Sequence, residues 1–168
     1  MPEIIKVYRE SLPAVRLVGK RYTDKDRGPQ GMYAHLWGEW FEKGYFAALE
    51  PLPQLPDEMN GYLGCMRMGE EFEYWIGMFT TAEGPVPEGF DSISIPAGDI
   101  GVCWVKGRED TGELYGHEVH TECTKQIQEQ GWVINEQGWF FERYNCPRFT
   151  DPDGEGNVVL DYCFYLAS

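Results

Sequence analysis

Positive charge is scarce in this sequence. Fourteen Lys and Arg stand against 28 Asp and Glu, giving a formal net charge of −14 and a sequence pI of about 4.5. Such a field repels nucleic-acid phosphates and anionic lipid, and it attracts cations. The basic residues are too few and too scattered to make a DNA-binding patch. No apolar run approaches the length of a membrane span, and Met1-Pro2-Glu3 opens on a polar–apolar mix with no signal-peptide core. The five cysteines (Cys65, Cys103, Cys123, Cys146, Cys163) are odd in number, widely spaced and without a CxxC pair. This argues against a disulfide framework and for reduced thiols. The expectation is a soluble cytoplasmic protein with neither a nucleic-acid nor a membrane partner.

Familiar catalytic signatures are also missing. There is no GxSxG elbow, no glycine loop suited to phosphate and no cysteine with a histidine partner by motif. His117-Glu118-Val119-His120-Thr121-Glu122-Cys123 lacks the HExxH spacing and reads as a polar helix face. The 151–157 loop lacks the ligand spacing of a calcium loop and reads as a turn. Neither a metal nor a cofactor is expected.

Aromatic residues, by contrast, are abundant. The 168 residues include 6 Trp, 10 Tyr and 9 Phe, more than a plain core of this size requires, which suggests an aromatic-lined pocket. The densest stretch is Trp139-Phe140-Phe141-Glu142-Arg143-Tyr144-Asn145-Cys146-Pro147. Strand alternation puts Phe140, Glu142 and Tyr144 on one face and Trp139, Phe141 and Arg143 on the other. A lone acid among aromatics is costly to bury unless its charge is compensated. Two readings follow: Glu142 pairs with a Lys or Arg at a sheet edge, or it meets a flat, greasy, cationic ligand. Trp104 on the strand before the second helix, Tyr33 and Trp37 a helical turn apart, and Tyr162 with Phe164 on the last strand are the further candidates for such a cage.

The order of elements repeats. Residues 15–22 read as a strand, broken by Gly28-Pro29-Gln30-Gly31. Residues 32–49 read as a helix, with Met32, Leu36, Trp40 and Ala47 near one stripe, ended by Pro51 and Pro53. Residues 61–68 and 72–80 read as strands. Residues 92–106 are strand material kinked at Pro96-Ala97-Gly98. Residues 112–130 read as an amphipathic helix stopped by Gly131, and 138–144 and 158–166 as strands. Two strand-helix-strand-strand repeats (about 14–80 and 91–166) in a single domain spanning 1–168 predict an α+β fold: an antiparallel sheet, two helices on one side and a central ligand cleft.

Three segments resemble the GyrI-like family, the ligand-binding domain also found in AraC-type and MerR-type multidrug-sensing regulators. Pro87-Glu88-Gly89-Phe90-Asp91 before Ile93-Ser94-Ile95-Pro96-Ala97-Gly98 resembles the opening of that family's second repeat. Phe141-Glu142-Arg143-Tyr144-Asn145-x-Pro147 resembles its late Glu-bearing strand, and Asp161-Tyr162-Cys163-Phe164 its closing strand. The resemblance covers about residues 10–166. It implies a cleft for bulky lipophilic or cationic aromatic compounds with an acid at its base, here Glu142, lined by Trp104, Trp37, Tyr33, Tyr162, Phe140 and Tyr144. It carries two alternatives: a hydrolase that opens cyclopropane-type rings of genotoxic alkylating compounds with Glu142 as its catalytic residue, and a protein-binding, gyrase-inhibitor-like factor. With the first strand starting near residue 14, no helix-turn-helix domain is expected, which favours a standalone binding protein. A protein partner or a homodimer is compatible with the acidic surface.

Overall fold

A computed structural model describes residues 2–29 and 31–167. Gln30, part of the break expected after the first strand, lies outside them. The strands are β1 (Glu3–Leu12), β2 (Val15–Tyr22), β3 (Tyr62–Met68), β4 (Phe72–Thr81), β5 (Asp91–Ile95), β6 (Gly98–Arg108), β7 (Phe140–Tyr144) and β8 (Asn157–Tyr165). The helices are α1 (Ala34–Lys43), α2 (Phe46–Leu49) and α3 (His117–Glu129). The strands pair into one antiparallel sheet in the order β1-β6-β8-β7-β3-β4-β2-β5. The fold is α+β.

The two strand-helix-strand-strand units are laid out alike. In each, the strand after the helix takes the inner place and the last strand sits in the middle, as β2-β4-β3 and β6-β8-β7. The inner strands β3 and β7 meet at the centre of the sheet, with Gly64 opposite Glu142. The flanking strands are exchanged. β1 precedes β2 in the chain but pairs with β6, and β5 precedes β6 but pairs with β2. This exchange ties the halves together. It also splits the expected 92–106 strand in two, because Pro96 cannot donate to a ladder and the chain turns there.

The expected 32–49 helix is interrupted. Gly44 adopts a left-handed φ of 67°, ends α1, and lets the chain restart as α2. The restart shifts the buried stripe. Leu36 and Trp40 are buried from α1 and Phe46 and Leu49 from α2, while Met32 and Ala47 are exposed. At the other helix, Gly112 (φ 73°) and Gly116 (φ 118°) hold the preceding segment out of helical geometry, so α3 starts at His117, five residues later than expected. Leu114 is still fully buried. Val119, Cys123 and Ile127, four apart, form the buried stripe of α3. No helix of the described residues is long and apolar enough to cross a membrane.

Both helical units lie on one face of the sheet, over separate cores. One gathers Val18, Leu36, Trp40, Phe46, Leu49 and Ile76; the other gathers Val105, Val119, Cys123, Ile127, Leu160 and Phe164. The opposite face has its own core, to which all eight strands contribute, with Leu55 and Met59 of the α2–β3 connection packed on it. β3 and β7 therefore run between the two helical units, and their helix-side residues lie between the two helix-covered cores.

Candidate functional site

The helix-side residues at the centre of the sheet are read across the strands. Glu142 of β7 has Gly64 of β3 on one side and Tyr162 of β8 on the other. Gly64 leaves space that other rings use. A Cβ there would lie 2.8 Å from Tyr74 Oη and 3.3 Å from Trp37 Cζ2, so a side chain would push both rings away. Trp37 Nε1 donates to Tyr74 Oη at 2.8 Å. Tyr74 stacks on Tyr33 at 4.1 Å, and Trp37 meets Tyr144 edge-on at 5.0 Å. Tyr33 Oη donates to the Thr23 carbonyl, which anchors the stack to the end of β2. On the α3 side, Phe140 packs against Phe164 and His120, each with ring centroids 4.7 Å away.

Glu142 lies half-buried at the base of these rings. Among the described residues its one side-chain hydrogen bond comes from Tyr144 Oη, at 3.2 Å to Oε2. Burial pushes its pKa up to about 7, against a smaller opposing effect of the Tyr144 hydrogen bond. Four phenols sense this carboxylate. For Tyr74, Tyr115, Tyr144 and Tyr162, burial first and the Glu142 charge second drive the pKa upward, so all four stay protonated donors. Tyr162 donates to the Leu114 carbonyl.

The other buried carboxylates are treated differently. At Glu73, burial would raise the pKa, but hydrogen bonds from Arg67, Arg21 and Trp75 outweigh it and the net shift is downward. Asp161 accepts from Arg143 and Arg148, and Glu10 from Arg143. Among the described residues no Lys or Arg pairs with Glu142. The edge ion-pair reading of Glu142 is therefore corrected: β7 is a central strand of the sheet.

The structure brings together Glu142, Trp37, Tyr144, Tyr162 and Phe140, and Tyr33 joins through Tyr74. It does not bring Trp104 to them. Cys103, not Trp104, is the β6 residue opposite Tyr162; Trp104 faces Asp161, in the row of Arg143. On that opposite face Trp104 Nε1 donates to Tyr8 Oη at 3.2 Å, with Lys6 and Arg148 over its ring at 4.5 and 4.6 Å. Three contributors escaped sequence reasoning: Gly64, Tyr74 and Tyr115. Tyr74 alternates with Ile76 and Met78 onto the helix side, but only the β3–β4 register brings it beside Glu142. Tyr115 sits in a turn without strand or helix parity. Among the described residues no group of three His, Cys, Asp or Glu could hold a metal ion.

No protein-family model matches the chain, and no curated protein does. Solved structures match over nearly its whole length. SAV2435 bound to tetraphenylphosphonium is similar with a TM-score of 0.73 at 16% identity, over 98% of this chain and 95% of that one. A protein of Staphylococcus aureus MU50 is similar at 0.66 and 18%, over 98% and 99%. The EcmrR C-terminal domain is similar at 0.63 and 12%, over 97% and 98%. At these identities it is the arrangement of strands and helices that is shared: this chain has the fold of SAV2435 and of the EcmrR C-terminal domain.

Proposed function

We propose that the cleft between the helical units binds bulky, lipophilic aromatic cations, with Glu142 as counter-charge and Trp37, Tyr74, Tyr115, Tyr144 and Tyr162 as surrounding rings and donors. The observation that carries this reading is the unpaired carboxylate. Glu73, Asp161 and Glu10 each accept from an arginine, whereas Glu142 has, among the described residues, one phenol, and its pKa is about 7. A cation entering among the rings supplies the missing charge and gains about 0.5–2 kcal/mol per ring from cation–π attraction. The tetraphenylphosphonium bound by SAV2435, a protein of the same fold, supports the ligand class. The five free cysteines are in keeping with a cytoplasmic setting.

The test is titration with tetraphenylphosphonium, followed by intrinsic Trp fluorescence. Glu142→Gln should weaken binding at least about tenfold, or roughly 1.4 kcal/mol. Equal affinity in wild type and variant removes Glu142 from the site.

The same pKa supports a second reading, hydrolysis of a strained cyclopropane. Glu142 would take a proton from water as the water oxygen bonds to a ring carbon and a ring C–C bond breaks, its electron pair passing into a conjugated carbonyl of the substrate, whose oxygen then takes up a proton. Glu142→Gln would then bind such a substrate without consuming it. A wild-type protein that leaves the substrate intact over hours rejects this reading.

A further inference from the structure

A concavity of about 540 Å³ lies away from Glu142 at the end of the sheet where the β5–β6 turn meets the C-terminal residues. Ile95-Pro96-Ala97-Gly98, the stretch singled out in the sequence for its resemblance, forms part of its wall. Trp139, Tyr165 and Leu166 add apolar surface, and Arg9 and Arg67 are its two cations. In a chain of net charge −14, two guanidiniums on one cavity are notable. Arg67 is held in place. Its Nε donates to Glu73 at 2.8 Å, and its guanidinium lies 4.5 Å from the Trp139 ring centroid. Arg9 donates through Nε to Asp99 at 2.8 Å. In both arginines the two Nη groups have no acceptor among the described residues. Tyr165, only 7% exposed, is also part of the wall, and its hydroxyl has no hydrogen-bond partner.

We infer that this cavity is a second ligand site, for a small amphiphilic acid whose carboxylate is taken by the free edge of Arg67 and whose apolar body rests on Trp139 and Pro96. A guanidinium fixed through Nε and open at Nη matches the planar fork of a carboxylate, and a volume of this size suits a drug-sized molecule. The opposite charge preference separates it from the Glu142 cleft, so one small domain would take a cation on one side and an acid on the other.

The probe is indole-3-acetate, with neutral indole-3-acetamide as control, followed through the Trp139 indole N–H resonance by ¹H–¹⁵N NMR, the peak being assigned with Trp139→Phe. The acid should bind with a Kd of about 1 mM or tighter, corresponding to −4.1 kcal/mol, and move that resonance. The amide should not. Arg67→Gln should weaken the acid more than tenfold, Arg9→Gln less, and the remote Arg27→Gln not at all. Binding should persist in Glu142→Gln, which keeps this result separate from the cation reading. Equal binding of acid and amide, unchanged affinity in a folded Arg67→Gln protein, or no shift at Trp139 overturns the proposal. If Arg67→Gln does not fold, the acid–amide comparison and Arg9→Gln decide it.

Discussion

Glu142 and Arg143 are neighbours in the chain and lie on opposite faces of β7 in opposite electrostatic states. Arg143 is fully buried and bonded to two carboxylates, donating from Nε to Asp161 at 2.8 Å and from Nη1 to Glu10 at 2.9 Å. Glu142 receives, among the described residues, one phenol and no Lys or Arg. The strand's period of two is what allows this: one residue sends its charge into a satisfied network, and its neighbour sends the opposite charge among aromatic rings.

The first consequence is a stability cost that depends on pH. Glu142 has a folded pKa of about 7, above its ordinary 4.5. The folded state therefore holds this proton more tightly than the unfolded state. Its contribution to stability is complete below about pH 4.5, falls as pH rises, and levels off above about pH 7. At 1.36 kcal/mol per pH unit the loss is roughly 3 kcal/mol. Glu142→Gln should remove this slope and make the ligand-free protein more stable than wild type at alkaline pH, as read by urea denaturation. A variant with the wild-type pH profile would show that the carboxylate is well solvated.

Ligand binding should show the reverse dependence. A cation in the cleft favours the ionised acid, so binding below about pH 7 must expel a proton. Affinity for tetraphenylphosphonium should fall about tenfold per pH unit as the pH drops below that value. Calorimetry in two buffers of different ionisation enthalpy counts the proton. A pH-independent affinity across neutrality would separate the cation from Glu142.

The Arg143 network predicts a large structural effect. Arg143→Met leaves Glu10 with the Tyr8 hydroxyl at 3.5 Å but no arginine, and Asp161 with Arg148 alone. Removing one member of a buried ionic group costs about 3–5 kcal/mol. Chemical denaturation should show a loss of that order, and a loss below about 1 kcal/mol would mean that water takes over the role of the guanidinium.

Two glycines should behave in opposite ways. Gly64→Ala places a methyl against Tyr74 Oη and Trp37, and overpacking of this kind costs about 1–3 kcal/mol. It should also disturb the Trp37–Tyr74 hydrogen bond, changing near-UV circular dichroism and cation affinity together. Gly38, exposed on α1, has no atom within 4 Å of such a methyl. Gly38→Ala should stabilise by up to about 1 kcal/mol through helix propensity. If both substitutions have equal effects, the crowding at Gly64 is not real.

The parts of this molecule that were legible in the sequence are those set by local rules. Alternation along residues 139–144 fixed which side chains share a face, and Gly131, with a φ of 88°, stops the last helix as its position suggested. What escaped was non-local. Residues 3–12 carry two Glu, a Lys and an Arg among their apolar positions and gave no strand signal; they become β1 because β6 offers an unpaired edge from the other half of the chain. The break in the first helix was missed because apolar residues continue across Gly44.

The sequence by itself determined that Glu142 shares a face with Phe140 and Tyr144, because parity along a strand needs no partner. Only the tertiary structure decided which neighbours complete the group. The registers β3–β7 and β7–β8 set Gly64 and Tyr162 beside Glu142, and β3–β4 adds Tyr74. The β6–β8 register sends Trp104 to the far side, where it meets Tyr8. The physical reason is that a shift of one residue in strand pairing reverses every side chain's face. A candidate on another strand is therefore decided by hydrogen-bonded register, which no single segment of sequence contains.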